Sequence, residues 1–420
     1  MIKATLIRIL LWTLVATGAL AVVQAVAGSK APPLAVQATK LALAGNFMDA
    51  GAAAKRSKDE AAIKLVELLY LRDHPEEAGY VRIMKFLDAA PEWPLADGLM
   101  KRAEWALYSN EEPAEVILAH FAKRQPLTPE GALALARAKL AGGDKAGAHK
   151  LVLSVWSNPL LDPELEKKVS SEFKTLLSLE DHQRRMWCLV YAHETNAAIR
   201  ASKRLSGGYQ NGAKVAQALL RGVGGADKQY AKLPAVMREQ LAMKYALVVF
   251  HRKREAWGKV RAILVDIPGD GRDAEAWWVE RRIVARHSIG TKRKDSFKAA
   301  YQITRSHGVA SGEGASEGEF LAGWIALRHL KEPGKALPHF QKLHTLVRTE
   351  TEKARAKYWT GRAFAAMGRE TEAKSAYREA AQYSTVYYGQ LAREKIGLGK
   401  VPEKVTSGES SAEARAKIDK

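Results

Sequence analysis

Two short helices joined by a tight turn are predicted by the segment Lys357-Tyr-Trp-Thr-Gly-Arg-Ala-Phe-Ala-Ala-Met-Gly368 and its continuation Glu370-Thr-Glu-Ala-Lys-Ser-Ala-Tyr-Arg-Glu-Ala-Ala381. In the first helix, the residues at the three- and four-residue spacing of one helix face are Trp359, Arg362, Ala363 and Ala366. We expect Gly368 to end this helix, because glycine adopts the left-handed cap conformation without strain.

Small residues at Gly361, Ala373 and Ala380 are expected to let the two helices approach closely, with Phe364 and Tyr377 filling the space beside them. This arrangement is the tetratricopeptide pattern, in which a single hairpin cannot bury its own apolar face. The pattern therefore predicts further hairpins stacked into a superhelix. A second such glycine, Gly323, precedes Gly361 by 38 residues, close to the period of about 34 residues of these repeats.

The composition extends this prediction to the whole 420-residue chain. Apolar residues make up 47% of it, and alanine with Leu, Glu, Lys and Arg favours helix over strand. The predicted fold is all-α, a right-handed α-superhelix of stacked helical hairpins that is tetratricopeptide-like in its C-terminal third. We predict degenerate hairpins over residues 28–272, clearer repeats over 273–399, and a polar, disordered tail over 400–420.

The first 27 residues are predicted to be a secretory signal peptide. Lys3 and Arg8 precede the apolar run Ile9–Val23, and Ala25-Val-Ala27 offers a cleavage site of small residues. The alternative is a membrane anchor, for which the run is short. Because no later segment is long and apolar enough to span a bilayer, we expect an exported, periplasmic protein with no stable membrane span after cleavage.

The net charge of +20 becomes +18 after cleavage, because the signal segment holds two basic side chains and no acidic one. Such a surface favours anionic partners, although Lys and Arg on solvated helix faces account for most of the excess. Export argues against nucleic acid and points to carboxylates of the cell wall or anionic lipid head groups. The one cysteine, Cys188, can form no internal disulfide and is expected in the core.

Five stretches together resemble the long α-superhelical region of the soluble lytic transglycosylases of Gram-negative bacteria, over most of residues 80–398. They are Pro91-Glu-Trp-Pro94 with Lys101-Arg-Ala-Glu104, Asp181-His182 with Arg184-Arg185, Trp277-Trp278 with Glu280-Arg281-Arg282, Glu319-Phe-Leu-Ala-Gly-Trp-Ile-Ala-Leu-Arg328, and Tyr358-Trp-Thr-Gly-Arg-Ala363 with Tyr387-Tyr-Gly-Gln-Leu391. The resemblance implies a periplasmic protein of peptidoglycan remodelling. Proteins of this family cleave glycan strands between N-acetylmuramic acid and N-acetylglucosamine and leave a 1,6-anhydro end.

The chemistry of that family resides in a C-terminal lysozyme-like domain, where the glutamate of a Glu-Ser pair acts as general acid and then base. That domain is expected to begin near Lys400, so we expect this chain to hold the superhelical part without it. Glu409-Ser410 stands in the polar tail with no apolar residues to raise its pKa. Gly98-Leu-Met-Lys101 resembles the family's Gly-Leu-Met-Gln motif by chance, since it lies in a superhelix position. Neither is predicted to be catalytic.

The sequence predicts no cofactor-binding or metal-binding residues either. The eleven histidines are dispersed, and there is no Cys/His cluster or phosphate-binding loop. Pairs of Glu and Asp are expected on solvated helix faces, and the tryptophans of the repeats in the core. Three functions stay open: a scaffold that binds peptidoglycan and assists a cell-wall enzyme, a tetratricopeptide-type adaptor for another periplasmic protein, and a truncated enzyme.

Overall fold

Every element of regular secondary structure in the part of the chain that the computed structural model describes, residues 33–269 and 273–399, is helical. The predicted all-α class is therefore confirmed, while the tetratricopeptide-like detail stays a prediction. The chain divides into two compact units between Ser178 and Leu179. The boundary predicted at residue 272 is based on the character of the repeats rather than on compactness, and it also stays a prediction.

The first unit is a series of helices joined by short turns. Its described helices are α1 (Pro33–Leu43), α2 (Phe47–Ser57), α3 (Glu60–Asp73), α4 (Pro75–Ala89), α5 (Ala96–Ser109), α6 (Ala114–Phe121), α7 (Pro129–Ala141), α8 (Lys145–Trp156) and α9 (Pro163–Glu172). Side chains from α5 to α9 form one apolar cluster that includes the buried Leu107, Leu133 and Trp156.

The second unit continues the same pattern. Its described helices are α10 (Leu179–Tyr191), α11 (Thr195–Ser202), α12 (Gly207–Arg221), α13 (Ala226–Ala231), α14 (Ala235–Arg238), α15 (Leu241–Lys253), α16 (Trp257–Val265), α17 (Ala274–Gly290), α18 (Lys294–Arg305), α19 (Gly312–Ile325) with a π-helical turn (Ala326–Leu330), α20 (Pro333–Leu346), α21 (Glu350–Ala366), α22 (Glu370–Ala381) and α23 (Tyr387–Lys395).

The sequence Thr128-Pro129-Glu130 predicts the start of a helix, and the structure confirms this local rule. Thr128 precedes α7, and its side-chain oxygen accepts a hydrogen bond of 2.9 Å from the backbone N–H of Gly131, with Pro129 in the first turn. Gly368 follows α21 with φ of +73°, the left-handed conformation expected of a glycine that ends a helix.

Close approach at glycine, predicted for Gly361, occurs in two successive hairpins. A Cβ atom at Gly361 on α21 would lie 2.7 Å from the ring of Tyr377 on α22. One at Gly323 on α19 would lie 2.7 Å from the ring of Phe340 on α20. In both hairpins the missing Cβ makes room for an aromatic ring of the partner helix. Of the repeat tryptophans, Trp278 and Trp359 are buried and Trp324 is partly buried.

Three local predictions need correction. The residue spacing predicts a helix from Glu319 to Leu330, but α19 begins at Gly312. Its glycine-rich first turns gain packing that outweighs their poor helix propensity, since a Cβ at Gly318 would lie 2.7 Å from the His307 ring. The sequence pattern also predicts a single helix from Pro234 to His251, but it is divided into α14 and α15, since Gln240 is extended, with ψ of 128°. Cys188 is half-buried rather than in the core.

Candidate functional site

The stretches that carry the family resemblance contain most of the buried charged side chains of the described residues. The expectation that acidic side chains lie on solvated helix faces is wrong for the four acidic ones among them, because neighbouring helices and loops enclose each of these side chains. Their exposed fractions are 0–3%, for Glu104, Asp181, Arg185, Glu280, Arg281 and Glu319. Since burial of a charge is costly without partners, their contacts show what each one does.

Glu104 on α5 fixes the loop that leads into α7. Its carboxylate accepts hydrogen bonds from the backbone N–H of Leu127 at 2.9 Å and of Thr128 at 2.8 Å, and from the Thr128 hydroxyl at 2.7 Å. The next turn can approach because residue 131 is glycine: a Cβ there would overlap the Glu104 carboxylate. Glu104 therefore acts as a structural anchor for the segment 122–128.

Two neighbouring charges on α17 have different partners. Glu280 forms a two-pronged ion pair with Arg252 on α15, with N–O distances of 2.5 and 3.0 Å. Arg281 donates to the backbone carbonyls of Ile303, Ile267 and Pro268 at 2.7–3.1 Å. Burial lowers the pKa of Arg281 to about 10, so the guanidinium stays charged near neutral pH. Both side chains tie α17 to neighbouring segments.

Glu319 on α19 is the centre of a network of four side chains. It accepts hydrogen bonds from His307 at 3.1 Å and from His339 at 2.6 Å, and Lys342 lies 2.6 Å away. The other ring nitrogen of His307 accepts from the backbone N–H of Val309, so His307 donates to Glu319 through Nε2. Burial alone would raise the pKa of Glu319, but the bonds from His307, His339 and Lys342 together hold it well below its usual range.

These contacts decide what the buried carboxylates can do chemically. A general acid that cleaves a glycosidic bond needs a raised pKa, so that it still carries its proton near neutral pH. The pKa of Glu319 is shifted in the opposite direction, and the Glu104 carboxylate is occupied by the donors of the loop that it holds. Both side chains therefore have structural roles.

That neither of the two motifs resembling the family's catalytic residues is catalytic stays a prediction. Gly98-Leu-Met-Lys101 lies within α5, with Leu99 buried in the core. Glu409-Ser410, like the signal segment and the tail, lies outside the described residues. The partners His307, His339 and Arg252 were not found by sequence reasoning. Their one signal is that each lies within 40 residues of a buried carboxylate in a resemblance motif, which is too weak to use alone.

An open cleft of about 750 Å³ lies in the first unit between α6, the loop 122–128, α7 and α8. We call it the α6–α8 cleft. Its apolar lining includes Phe121, Leu135 and Val155, and its charged lining residues are all basic. The residues that line it are Leu118, Phe121, Ala122, Arg124, Gln125, Pro126, Leu127, Thr128, Pro129, Ala132, Leu135, Lys139, Gly147, Lys150, Leu151, Ser154, Val155 and Asn158.

A smaller groove of about 460 Å³ lies in the second unit, where α16 begins and α17 gives way to α18. We call it the Trp257 groove. The Trp257 and His287 rings stack in it with centroids 3.8 Å apart and planes at 14°. Lys259, Arg261 and Arg293 also line it, and none of them forms an ion pair with an acidic side chain among the described residues.

Two further features were considered for residues 33–269 and 273–399, candidate metal ligands and candidate membrane-spanning helices. No group of three or more His, Cys, Asp or Glu side chains there is placed to hold a metal ion. No helix there combines the length and the apolar character that crossing a bilayer requires.

Comparison with known proteins gives matches among solved structures. No protein-family profile matches the sequence, and no curated protein matches it. The structure of the lytic transglycosylase Slt from Pseudomonas aeruginosa, solved as an inactive mutant, is similar at a TM-score of 0.59 and 16% identity. The similarity covers 87% of this chain and 58% of that one.

The chain shares the fold of part of the lytic transglycosylase Slt. The 70 kDa soluble lytic transglycosylase from Escherichia coli also matches, at a TM-score of 0.49 and 17% identity, over 86% of this chain and 57% of that one. The similarity to the Pseudomonas aeruginosa protein confirms, at the level of the fold, the resemblance that the sequence stretches predict. The chain spans less than two thirds of the length of both proteins.

Proposed function

We propose that this protein is a periplasmic, peptidoglycan-associated protein of the soluble lytic transglycosylase family, in which residues 33–399 bind the cell wall. The observation that carries the proposal is the similarity in fold to the lytic transglycosylase Slt over 87% of the chain. The five resemblance stretches support it independently, because they were identified from the sequence alone. Their buried Glu104, Glu280 and Glu319 hold helices and loops together, which is a structural role rather than that of an active site.

The proposed role for residues 33–399 is binding rather than bond cleavage. The Glu319 carboxylate has a lowered pKa, the opposite of the shift that a general acid requires, and the Glu104 and Glu280 carboxylates are occupied by the donors that they hold. The net charge of +18 that remains without the predicted signal segment favours contact with the carboxylates of wall peptides. We therefore assign the contact with the glycan strand and its peptides to basic surfaces.

The Trp257 groove is the proposed contact in the second unit. Lys259 and Arg293 are exposed and Arg261 is half-buried, so the groove offers three cationic groups beside one acidic side chain, Glu255. A wall peptide carries carboxylates that can form charge-assisted hydrogen bonds with such groups. The contact lies in a groove open to water, so it should weaken as salt increases.

Binding of the chain from residue 28 onward to purified sacculi tests the proposal. We expect co-sedimentation at low salt, a several-fold loss of affinity between about 50 and 300 mM salt, and a further loss in the double variant Lys259→Glu/Arg293→Glu. The matched control is Lys298→Glu, an exposed lysine of α18 that does not line the groove. No co-sedimentation at low salt would reject the proposed function.

The same incubation tests whether the chain cleaves glycan. The soluble fraction is analysed by mass spectrometry for 1,6-anhydro-muropeptides, with Glu409→Gln as the control. We expect no products from the wild type above that control. A higher yield from the wild type would assign catalysis to Glu409 and contradict the proposed binding role.

A further inference from the structure

The α6–α8 cleft has features that wall binding does not explain. We propose that it binds an acidic, amphipathic helical segment of a protein partner. The proposal goes beyond the proposed function, because the two depend on different surfaces in different units of the chain.

One wall of the cleft is held in place before any ligand arrives. Leu127 and Thr128 line the cleft, and the backbone N–H groups of both donate to the buried Glu104 carboxylate at 2.8–3.0 Å. The Thr128 side chain also caps α7, which forms the adjacent wall. A binding surface that is already ordered loses little conformational entropy on binding, so the cleft is preorganised.

The floor of the cleft is apolar and continues upward into exposed leucines. Phe121, Leu135 and Val155 are less than 10% exposed at its base, whereas Leu118 is 43% exposed and Leu127 is 55% exposed on its walls. Large apolar side chains on a concave surface are the usual receptors for the apolar face of an amphipathic helix. Covering Leu118 and Leu127 would remove apolar surface from water, which favours association.

The rim of the cleft defines the charge of the ligand. Arg124, Lys139 and Lys150 line it, and no Asp or Glu does. Lys139 is paired with Asp144 at 2.8 Å, but Arg124 and Lys150 form no ion pair with an acidic side chain among the described residues. A segment with acidic residues beside its apolar face would therefore complement both the rim and the floor.

A peptide fits this surface better than a glycan strand. Sugar rings are bound in proteins largely by stacking on exposed aromatic faces, and neither Trp nor Tyr lines the cleft. Its one aromatic residue, Phe121, is only 8% exposed. The leucine walls instead match the spaced apolar anchors of a helix.

The test uses 16-residue random peptides displayed on phage, selected against the chain from residue 28 onward. The affinities of the enriched peptides are then measured by fluorescence anisotropy. We expect enriched sequences with apolar residues at helical spacing and Asp or Glu between them. Leu118→Glu and Lys150→Glu should each weaken their binding about tenfold or more. Lys145→Glu on the same helix as Lys150, and Leu179→Glu, are matched exposed controls that should leave it unchanged.

Three results of the selection and of the variants would overturn the proposal. They are no enrichment, enrichment of basic or neutral peptides, and binding that neither Leu118→Glu nor Lys150→Glu weakens. Displacement of the peptides by soluble muropeptides would also overturn it, since the cleft would then take wall fragments. Far-UV circular dichroism and the urea midpoint of each variant establish that it is folded. Both cleft variants should still bind sacculi, so failure here is distinguishable from failure of the proposed function.

Discussion

Glu104 in the first unit and Glu319 in the second are buried to nearly the same extent, at 0% and 3% exposure, but different groups stabilise their charges. The partners of Glu104 are two backbone N–H groups and a hydroxyl, all of them neutral. The partners of Glu319 are two histidines and a lysine. Both glutamates are buried and belong to a resemblance motif, but only Glu319 has a lysine among its partners, so only its contacts should weaken as salt increases.

The contrast also limits what a buried glutamate in such a fold means. Glu104 orders one loop within a few residues of a helix start, and Glu319 joins α19 to α20 and to the segment between α18 and α19. A carboxylate enclosed in this fold is thus no sign of catalysis by itself. The direction in which its pKa is shifted and the chemistry of its partners decide whether such a carboxylate can act as a catalytic acid.

The largest effect is expected for Glu319→Gln. This change removes the charge on which His307, His339 and Lys342 converge, and it turns an amide N–H₂ toward one of the donors. We expect a loss of about 3 kcal/mol in the free energy of unfolding at pH 7, measured by urea denaturation. The control is Glu317→Gln on the same helix, whose pairs with Arg282 and Arg286 are more exposed, with a loss below about 1 kcal/mol. Equal losses in both variants would show that the network is no stronger than a surface pair.

The difference between wild type and Glu319→Gln should depend on pH in one direction. The pKa of Glu319 in the folded protein lies below its ordinary value of 4.5, so the unfolded chain binds the proton more readily. Its contribution is therefore complete above about pH 4.5 to 5 and decreases as the pH falls toward the folded-state pKa. Urea midpoints of the two proteins, measured from pH 7 to pH 3.5, should converge as the pH falls. A difference that stays constant over this range would mean that the Glu319 pKa is not depressed.

Local rules were sufficient for the parts of the fold that depend on neighbours in sequence. The cap at Thr128, the turn at Gly368 and the close approach at Gly361 each follow from one residue type in one local setting. The burial of Glu319 does not, because it depends on His307 and His339, which lie 12 and 20 residues away. A single sequence gives no means of pairing these residues with Glu319.

The same reasoning explains the error at α19. Its first turns contain Gly312, Gly314 and Gly318, and the low helix propensity of glycine predicts no helix there. In the structure the missing Cβ atoms allow the helix to pack against Trp278 and His307. The α6–α8 cleft has a related cause: its basic rim comes from three consecutive segments, the loop 122–128, α7 and α8, but which faces of them line a cleft depends on tertiary packing.

The next largest effect is expected for Glu104→Gln, which tests the carboxylate whose partners are all neutral donors. Hydrogen bonds from neutral donors to a carboxylate are stronger than those to an amide, so we expect a loss of about 2 kcal/mol in unfolding free energy. The loss should be the same in 50 mM and 500 mM salt, because no ion pair is involved. Hydrogen exchange at the Leu127 and Thr128 amides should accelerate before that of the rest of α7. Unchanged exchange at these two amides would contradict the anchoring role.

The smallest effect is expected for Lys342→Met, which leaves both histidines in place and removes only the cation. The lysine side chain is 58% exposed, so solvent screens its 2.6 Å contact with Glu319, and the loss in unfolding free energy should be about 0.5 kcal/mol. Unlike the loss in Glu104→Gln, it should shrink further as salt rises from 50 to 500 mM. A loss as large as that of Glu319→Gln would mean that the lysine, rather than the histidines, stabilises the buried charge. The difference would then be that a cation stabilises the buried carboxylate of Glu319 in the second unit, whereas neutral donors stabilise that of Glu104 in the first. A small, salt-sensitive loss instead makes the two histidines the counterpart of the loop amides that hold Glu104.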